Sequence, residues 1–250
     1  MKSTFILYGR LMKHILRSPD TIITVALMPV AMMLMFVFVF GGAVKGSIGT
    51  DINYVNFQIP GILVMAIASG VAYTTMRILV DRQAGISERF NSMPISRGSV
   101  LWAHVLTSVV SNLLALLLVF IVAFLIGFRP DAGIFEWLGI IGILIILTLA
   151  LTWISVIPGL KAKSYETAGA YAYPLMFLPF LSSAFVPTET MPKVLRIFAE
   201  NQPITSIVET IRALLNSQSV GNNIWIALAW CFGIMIVAWV FAVKAYKRSI

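Results

Sequence analysis

Long apolar runs broken by short polar stretches dominate the chain. Runs of roughly 20 residues, about one hydrocarbon thickness of helix, fall at 22–40, 59–80, 100–126, 136–157, 168–185 and 224–243. The pattern predicts an all-α integral membrane protein with six transmembrane helices. Residues 1–17 are too charged to span. Phe5, Tyr8, Met12, Ile15 and Leu16 recur at helical spacing, while Lys2, Arg10, Lys13 and Arg17 fall mostly elsewhere on the wheel. That predicts an N-terminal amphipathic helix lying in the interface, with its cations near anionic headgroups. Ser18-Pro19-Asp20 stops this helix, and Asp20 can cap the first span. We therefore divide the chain into an interfacial helix, 1–20, and a single six-span domain, 21–250. The first apolar run is too long for a signal peptide and no A-x-A site comes after it.

Within the runs, Pro29 predicts a kink in the first span, Pro60-Gly61 opens the second, and Pro158-Gly159 closes the fourth. Tyr171, Tyr173, Pro174 and Pro179 predict a bent fifth span. Ala66 with Gly70, and Ala68 with Ala72, form small-xxx-small pairs that let helices approach closely. Arg77, less than a turn from its span's end, is read as snorkelling to the headgroups. In the third span His104, Ser108, Ser111 and Asn112 share a face, and Thr148, Thr152 and Ser155 repeat the pattern in the fourth. Hydrogen bonds that hold helices together in lipid are the plainer account of these positions. A wet lining of a translocation path is the functional one.

Two polar connections stand out. Residues 81–99, DRQAGISERFNSMPISRGS, carry Arg82, Arg89 and Arg97 against Asp81 and Glu88, a turn-prone Gly85, and a Met93-Pro94 step that disfavours helix at Met93. In so apolar a chain this is the best handle for a water-soluble partner, and it is read as a short cytoplasmic docking helix. Residues 186–223 are punctuated by Pro187, Pro192 and Pro203. From Pro203 onward, Ile204, Ile207, Val208, Ile211, Leu214 and Leu215 form a strong apolar stripe. With a shorter companion at 191–199, this predicts two outer amphipathic helices. A surface pair and a half-membrane re-entrant hairpin both fit, and the second is favoured.

Composition agrees with the pattern: 59% of the 250 residues are hydrophobic and only 11% charged, against about 25% charged in soluble domains. Mean hydropathy is +0.93. The +8 net charge does not point to nucleic acid, because the cations lie between apolar runs rather than along one face. They also set orientation. Those of the N-terminal helix, of 77–97, of 161–163 and of the C-terminal tail fall on one side, leaving Lys45, Arg129, Lys193, Arg196 and Arg212 on the other. By the positive-inside rule both termini and the 81–99 loop are cytoplasmic. The single cysteine, Cys231, lies in an apolar run, so no disulfide framework or Cys-based metal site is expected.

Candidate chemistry is sparse. There is no GxxxxGK[ST] phosphate loop, no HExxH and no GxSxG. No catalytic, cofactor-binding or metal-ligating residue is assigned, and His104 has no nearby carboxylate in sequence to make it a base. An ion-driven carrier needs ionisable groups deep in its spans, and only Arg77 and His104 come close. The energy for transport should therefore come from another polypeptide. A membrane-embedded lipid enzyme, and a channel or scaffold with no ATPase partner, are the alternatives.

Two motifs carry a family resemblance. ERFNSMPISRGSVLWAHVL, residues 88–106, resembles the coupling-helix loop, and its run into the third span, of type-2 ABC exporter permeases. FVPTETMPKVLRIFAENQPITSIVETIRALL, residues 185–215, is similar to the outer helices of that family, nearest its antibiotic-resistance branch, including Asn201-Gln202-Pro203 and Arg212. The resemblance implies a permease subunit that works with a second copy of itself or a paralogous permease. Two nucleotide-binding ATPase subunits, which would bind the ATP and Mg, complete the assembly, in the lipid of a bacterial or archaeal plasma membrane. It implies outward movement of a hydrophobic or amphipathic drug-like, lipid or glycan-linked cargo. Asp81, Arg82, Gly85, Glu88, Arg89, Phe90, Met93, Pro94 and Arg97 become the ATPase-coupling residues.

Overall fold

The computed structural model describes residues 2–18, 23–41, 54–86 and 97–248. Every regular element among them is helical. In chain order they are α1 (Lys2–Leu16), α2 (Met28–Met35) between π-helical turns Ile23–Leu27 and Phe36–Phe40, α3 (Tyr54–Gln83), α4 (Arg97–Leu125), α5 (Ile134–Lys161), α6 (Tyr165–Phe177), α7 (Lys193–Asn201), α8 (Pro203–Leu215) and α9 (Asn223–Arg248). Short 3₁₀ turns Leu178–Leu181 and Thr188–Thr190 join α6 to α7. Four helices, α3, α4, α5 and α9, are long and apolar enough to cross a membrane.

The prolines act through their missing N–H. The predicted kink at Pro29 takes the form of a widened turn. Pro29 is the second residue of α2, and the carbonyl its ring would meet, that of Val25, belongs to the π-helical turn just before it. Pro158 does not close its helix, which runs on to Lys161. One missing donor near a C-terminus costs little when Ala162 N still bonds the Pro158 carbonyl at 2.7 Å. Nor does Pro60 open a span, because α3 starts six residues earlier, at Tyr54. The predicted fifth span is a 13-residue helix followed by a 3₁₀ turn. It starts early because Ser164 and Thr167 form a capping box.

α3 is the central column. It packs against α2, α4, α5, α6 and α8, and its apolar stretch is 83% buried against 22% for α9. Glycines make the approaches close. A Cβ at Gly61 would lie 2.7 Å from Ala184 Cβ, one at Gly70 would lie 2.8 Å from Asn112 Cγ, and one at Gly159 would lie 2.9 Å from Ile78 Cβ. Van der Waals packing on small residues is what holds helices together where lipid removes the hydrophobic drive. α1 lies along α4, with Leu7 and Leu11 buried against Val100 and Ala103. The predicted apolar stripe also forms: Ile204, Ile207, Val208, Ile211 and Leu215 of α8 are buried in the main core.

Candidate functional site

The last turn of α3 is where four helices meet. The sequence pattern places Asp81 and Arg82 in a docking loop, but both are helical and both are used inside the chain. Asp81 Oδ1 lies 4.0 Å from Arg10 Nη2 of α1, and its Oδ2 lies 3.5 Å from His104 Nε2 of α4. Arg82 donates from both terminal nitrogens to the carbonyls of Leu160 and Ala162. These are among the orphan carbonyls that a helix C-terminus leaves, so Arg82 caps α5. Gln83 Nε2 extends the latch to the Lys163 carbonyl at 3.1 Å. The helix continues through the charges because each finds a partner on a neighbouring element.

Gly85 then turns the chain at φ +67°, a left-handed conformation that suits glycine. Arg97 is the first residue of α4 rather than part of a loop. The remaining coupling candidates, Glu88, Arg89, Phe90, Met93 and Pro94, lie outside the described residues.

Arg77 does not snorkel. It is 7% exposed, and its Nη2 donates to the His104 carbonyl at 3.3 Å and to Thr74 Oγ1 at 3.4 Å. The reason is rotational. Gly70, Thr74, Arg77 and Asp81 fall at i, i+4, i+7 and i+11, one helical face, and that face looks into α4.

Below Arg77 a polar seam runs between α3, α4 and α5. Thr74 Oγ1 donates to Ser108 Oγ at 3.0 Å, and Ser108 Oγ meets Thr152 Oγ1 at 3.0 Å. Asn112 Nδ2 bonds the Ser108 carbonyl at 2.9 Å. Thr152, Thr148 and Ser155 bond carbonyls one turn back on their own helix, and Thr75 Oγ1 reaches the Ser155 carbonyl at 3.2 Å. His104, Ser108, Asn112, Thr148, Thr152 and Ser155 are all buried, so the structure brings six of the seven path candidates into a seam between helices of one chain. Ser111 is the exception, half-buried and bonded to the Thr107 carbonyl at 2.7 Å.

At the opposite end, Arg212 of α8 makes the junction. Its Nη2 donates to the carbonyls of Phe57 at 3.1 Å and Ser183 at 2.8 Å, and its Nη1 pairs with Glu209 Oε1 at 2.7 Å. Asn56 and Arg129 exchange hydrogen bonds nearby, at 2.8 and 3.2 Å. Arg10 and Thr74 are not singled out as site residues by the sequence. The signal for Thr74 is the face shared with Gly70 and Asp81, and no local signal marks Arg10 as a partner for Asp81.

Residues 2–216 match the family model described as ABC-2 type transporter. The chain is 28% identical over 235 residues, 92% of its length and 81% of the relative's, to a daunorubicin resistance ABC transporter permease protein of Streptomyces coeruleorubidus. It is 26% identical over 222 residues (88% and 76%) to a putative transport permease of Cyanophora paradoxa. It is 22% identical over 247 residues (98% and 88%) to a probable doxorubicin resistance ABC transporter permease protein of Mycobacterium tuberculosis. With the family model covering most of the chain, and apolar helices able to cross a bilayer, the chain belongs to the ABC-2 type transporter family, as a multi-pass membrane permease subunit whose ATPase resides on a separate subunit.

Proposed function

We propose that this chain is the permease of an ATP-driven exporter, two copies of which, or one copy and a paralogue, work with two nucleotide-binding ATPase subunits docked on residues 81–99. The observation that carries the reading is the four-helix junction at 81–83. A push delivered beside Gly85 reaches α1 through Arg10, α4 through His104 and α5 through Leu160 and Ala162. ATP-driven movement of the docked subunits biases these helices between inward-facing and outward-facing arrangements, which requires ATPase contacts that differ between the two. ATP and Mg stay with the partner.

Six crossings complete the topology, with 23–41 and 165–181 joining the four long helices. The first is a continuous α/π run, and the second sits near the lower length limit of about 17 residues for a span. Both termini and the 81–99 segment face the cytoplasm of a bacterial or archaeal cell, and α7 and α8 form a re-entrant pair from the outer side. The relatives' names, daunorubicin and doxorubicin resistance, support an amphipathic, drug-like cargo over a lipid or glycan-linked one.

Charge reversal tests the docking. Glu88→Arg or Arg89→Glu, expressed with the ATPase subunit, should leave membrane insertion intact and abolish cargo-stimulated ATP hydrolysis. Undiminished stimulation in both variants would refute docking at this segment.

A further inference from the structure

An open cavity of about 790 Å³ lies between α1, α3 and the start of α6. Arg10, Lys13, His14 and Arg17 of α1 and Arg77 and Asp81 of α3 contribute to its wall. Four permanent cations thus face a single carboxylate, and that carboxylate already lies beside Arg10 and His104. Arg77 holds the strongest clue. It is 7% exposed, it makes no ion pair within 4 Å among the described residues, and its Nε–H has no acceptor there. Asp81, one turn on along α3, attracts it from beyond ion-pair distance, so the buried guanidinium keeps a desolvation cost that protein carbonyls offset only in part.

The missing chemistry is an oxyanion. A phosphate accepts the guanidinium fork and leaves further oxygens for Lys13 and Arg17, which are exposed on α1. The same wall includes Met76 and Val80, apolar surface of no use to a free ion. α1 has its own apolar edge: Phe5 and Ile6 are 65% and 73% exposed while Leu7 and Leu11 are buried against α4. A basic helix with an exposed apolar edge sits at headgroup depth.

We propose that this cavity binds the phosphate headgroup of an anionic membrane lipid, with buried Arg77 and the exposed Lys13 and Arg17 holding the phosphate and the acyl stems running along Met76 and Val80. The assignment rests on the reading of α1 as a cytoplasmic interfacial helix. One lipid fixed there would bridge α1 to α3 beside the junction that Arg10 and Asp81 make.

The test is lipid retention by the full-length chain in detergent micelles, read by native mass spectrometry against added phosphatidylglycerol or phosphatidylcholine. The wild type should retain one phosphatidylglycerol in preference to phosphatidylcholine, and Lys13→Gln/Arg17→Gln should lower that retention about tenfold or more. Both changes are on exposed side chains, so folding is not at stake; Arg77→Gln is the stronger but riskier variant. Lys193→Gln, on exposed α7, should change nothing. Equal retention by the double variant and the wild type, or equal retention of both lipids, overturns the site. Displacement of the lipid by millimolar inorganic phosphate would overturn the lipid source and leave a free-anion site. No ATPase takes part, so this result stands or falls separately from docking at 81–99.

Discussion

The guanidinium of Arg212 lies 4.0 Å over the ring of Phe57 and also donates to that residue's carbonyl at 3.1 Å. One side chain thereby ties α8 to the first turn of α3 by stacking and hydrogen bonding together. It also satisfies the Ser183 carbonyl in the turn that leads away from α6. Planarity is what makes this feasible, since a fork of five donors can stack and bond at once. Arg212→Lys should therefore not be conservative. Lysine keeps the charge beside Glu209 but cannot serve Phe57 and Ser183 together, and each buried acceptor left unpaired costs about 1–3 kcal/mol. Thermal unfolding in detergent should show both Arg212→Lys and Arg212→Met well below the wild type; a Lys variant of wild-type stability would mean the fork is not needed.

Arg82 separates docking from capping. As the C-terminal cap of α5 it contributes folding stability before any partner arrives. Arg82→Gln should lower the stability of the isolated permease by about 1–3 kcal/mol, as two carbonyls lose their donor. The charge reversals at Glu88 and Arg89 should leave stability alone and act on ATP hydrolysis. Melting curves on the four proteins without ATPase distinguish the cases, and an Arg82→Gln curve identical to wild type would return Arg82 to the docking surface.

Gly70 should be replaceable only together with its neighbour. A methyl there would lie within 2.8 Å of Asn112 Cγ, and Asn112 is held by its own bond to the Ser108 carbonyl. Gly70→Ala should destabilise by about 1–3 kcal/mol through overpacking. Gly70→Ala/Asn112→Ala should recover much of that loss, because the clashing atoms are gone. Ser108→Ala by comparison should cost only about 0.6 kcal/mol, the usual size of a hydrogen bond between helices in lipid. Thermal melts of the wild type, the two single variants at Gly70 and Asn112 and their combination, read as a double-mutant cycle, test the coupling, and strictly additive losses would reject the packing explanation.

The features legible in the sequence are those set by local interactions. Apolar run length predicts the four long helices, and the stripe from Ile204 to Leu215 predicts α8 with its buried face, because both depend on residues within a few turns. Charge is a poorer guide to where a helix ends. Asp81 and Arg82 remain helical because Arg10, His104, Leu160 and Ala162 satisfy them, and those partners are distant in sequence. The snorkelling expected of Arg77 fails for the same reason. Its nearness to a helix end is visible in the sequence, but its rotation toward His104 depends on α4. The polar positions of α4 and α5 group correctly by face, while the bond from Ser108 to Thr152 needs the packing of the two helices.

The contact between Asp81 and Arg10 makes the attachment of α1 testable on its own. α1 packs on α4 through few buried side chains, chiefly Leu7 and Leu11, and Asp81 is the carboxylate that joins it to α3. Asp81→Asn removes the charge while keeping the shape, so an oxygen stays beside His104 but Arg10 loses the carboxylate it faces. An exposed pair is usually worth less than about 1 kcal/mol, yet the Asp81 side chain is only 14% exposed, so screening by solvent is weaker here. Global unfolding should shift little, because the core around α3, α5 and α8 does not include the pair. Local opening of α1 should rise, since elements with few buried contacts exchange from the low-stability end of the structure. Hydrogen exchange followed by mass spectrometry should show faster exchange confined to residues 2–16 in Asp81→Asn, and Arg10→Gln should reproduce it. Combining the two changes should give less than the sum of the single effects, because both remove the contact between Arg10 and Asp81. Unchanged exchange in α1 would mean that packing on α4 alone holds the helix, and a push at the end of α3 would then have no route to α1 through this pair.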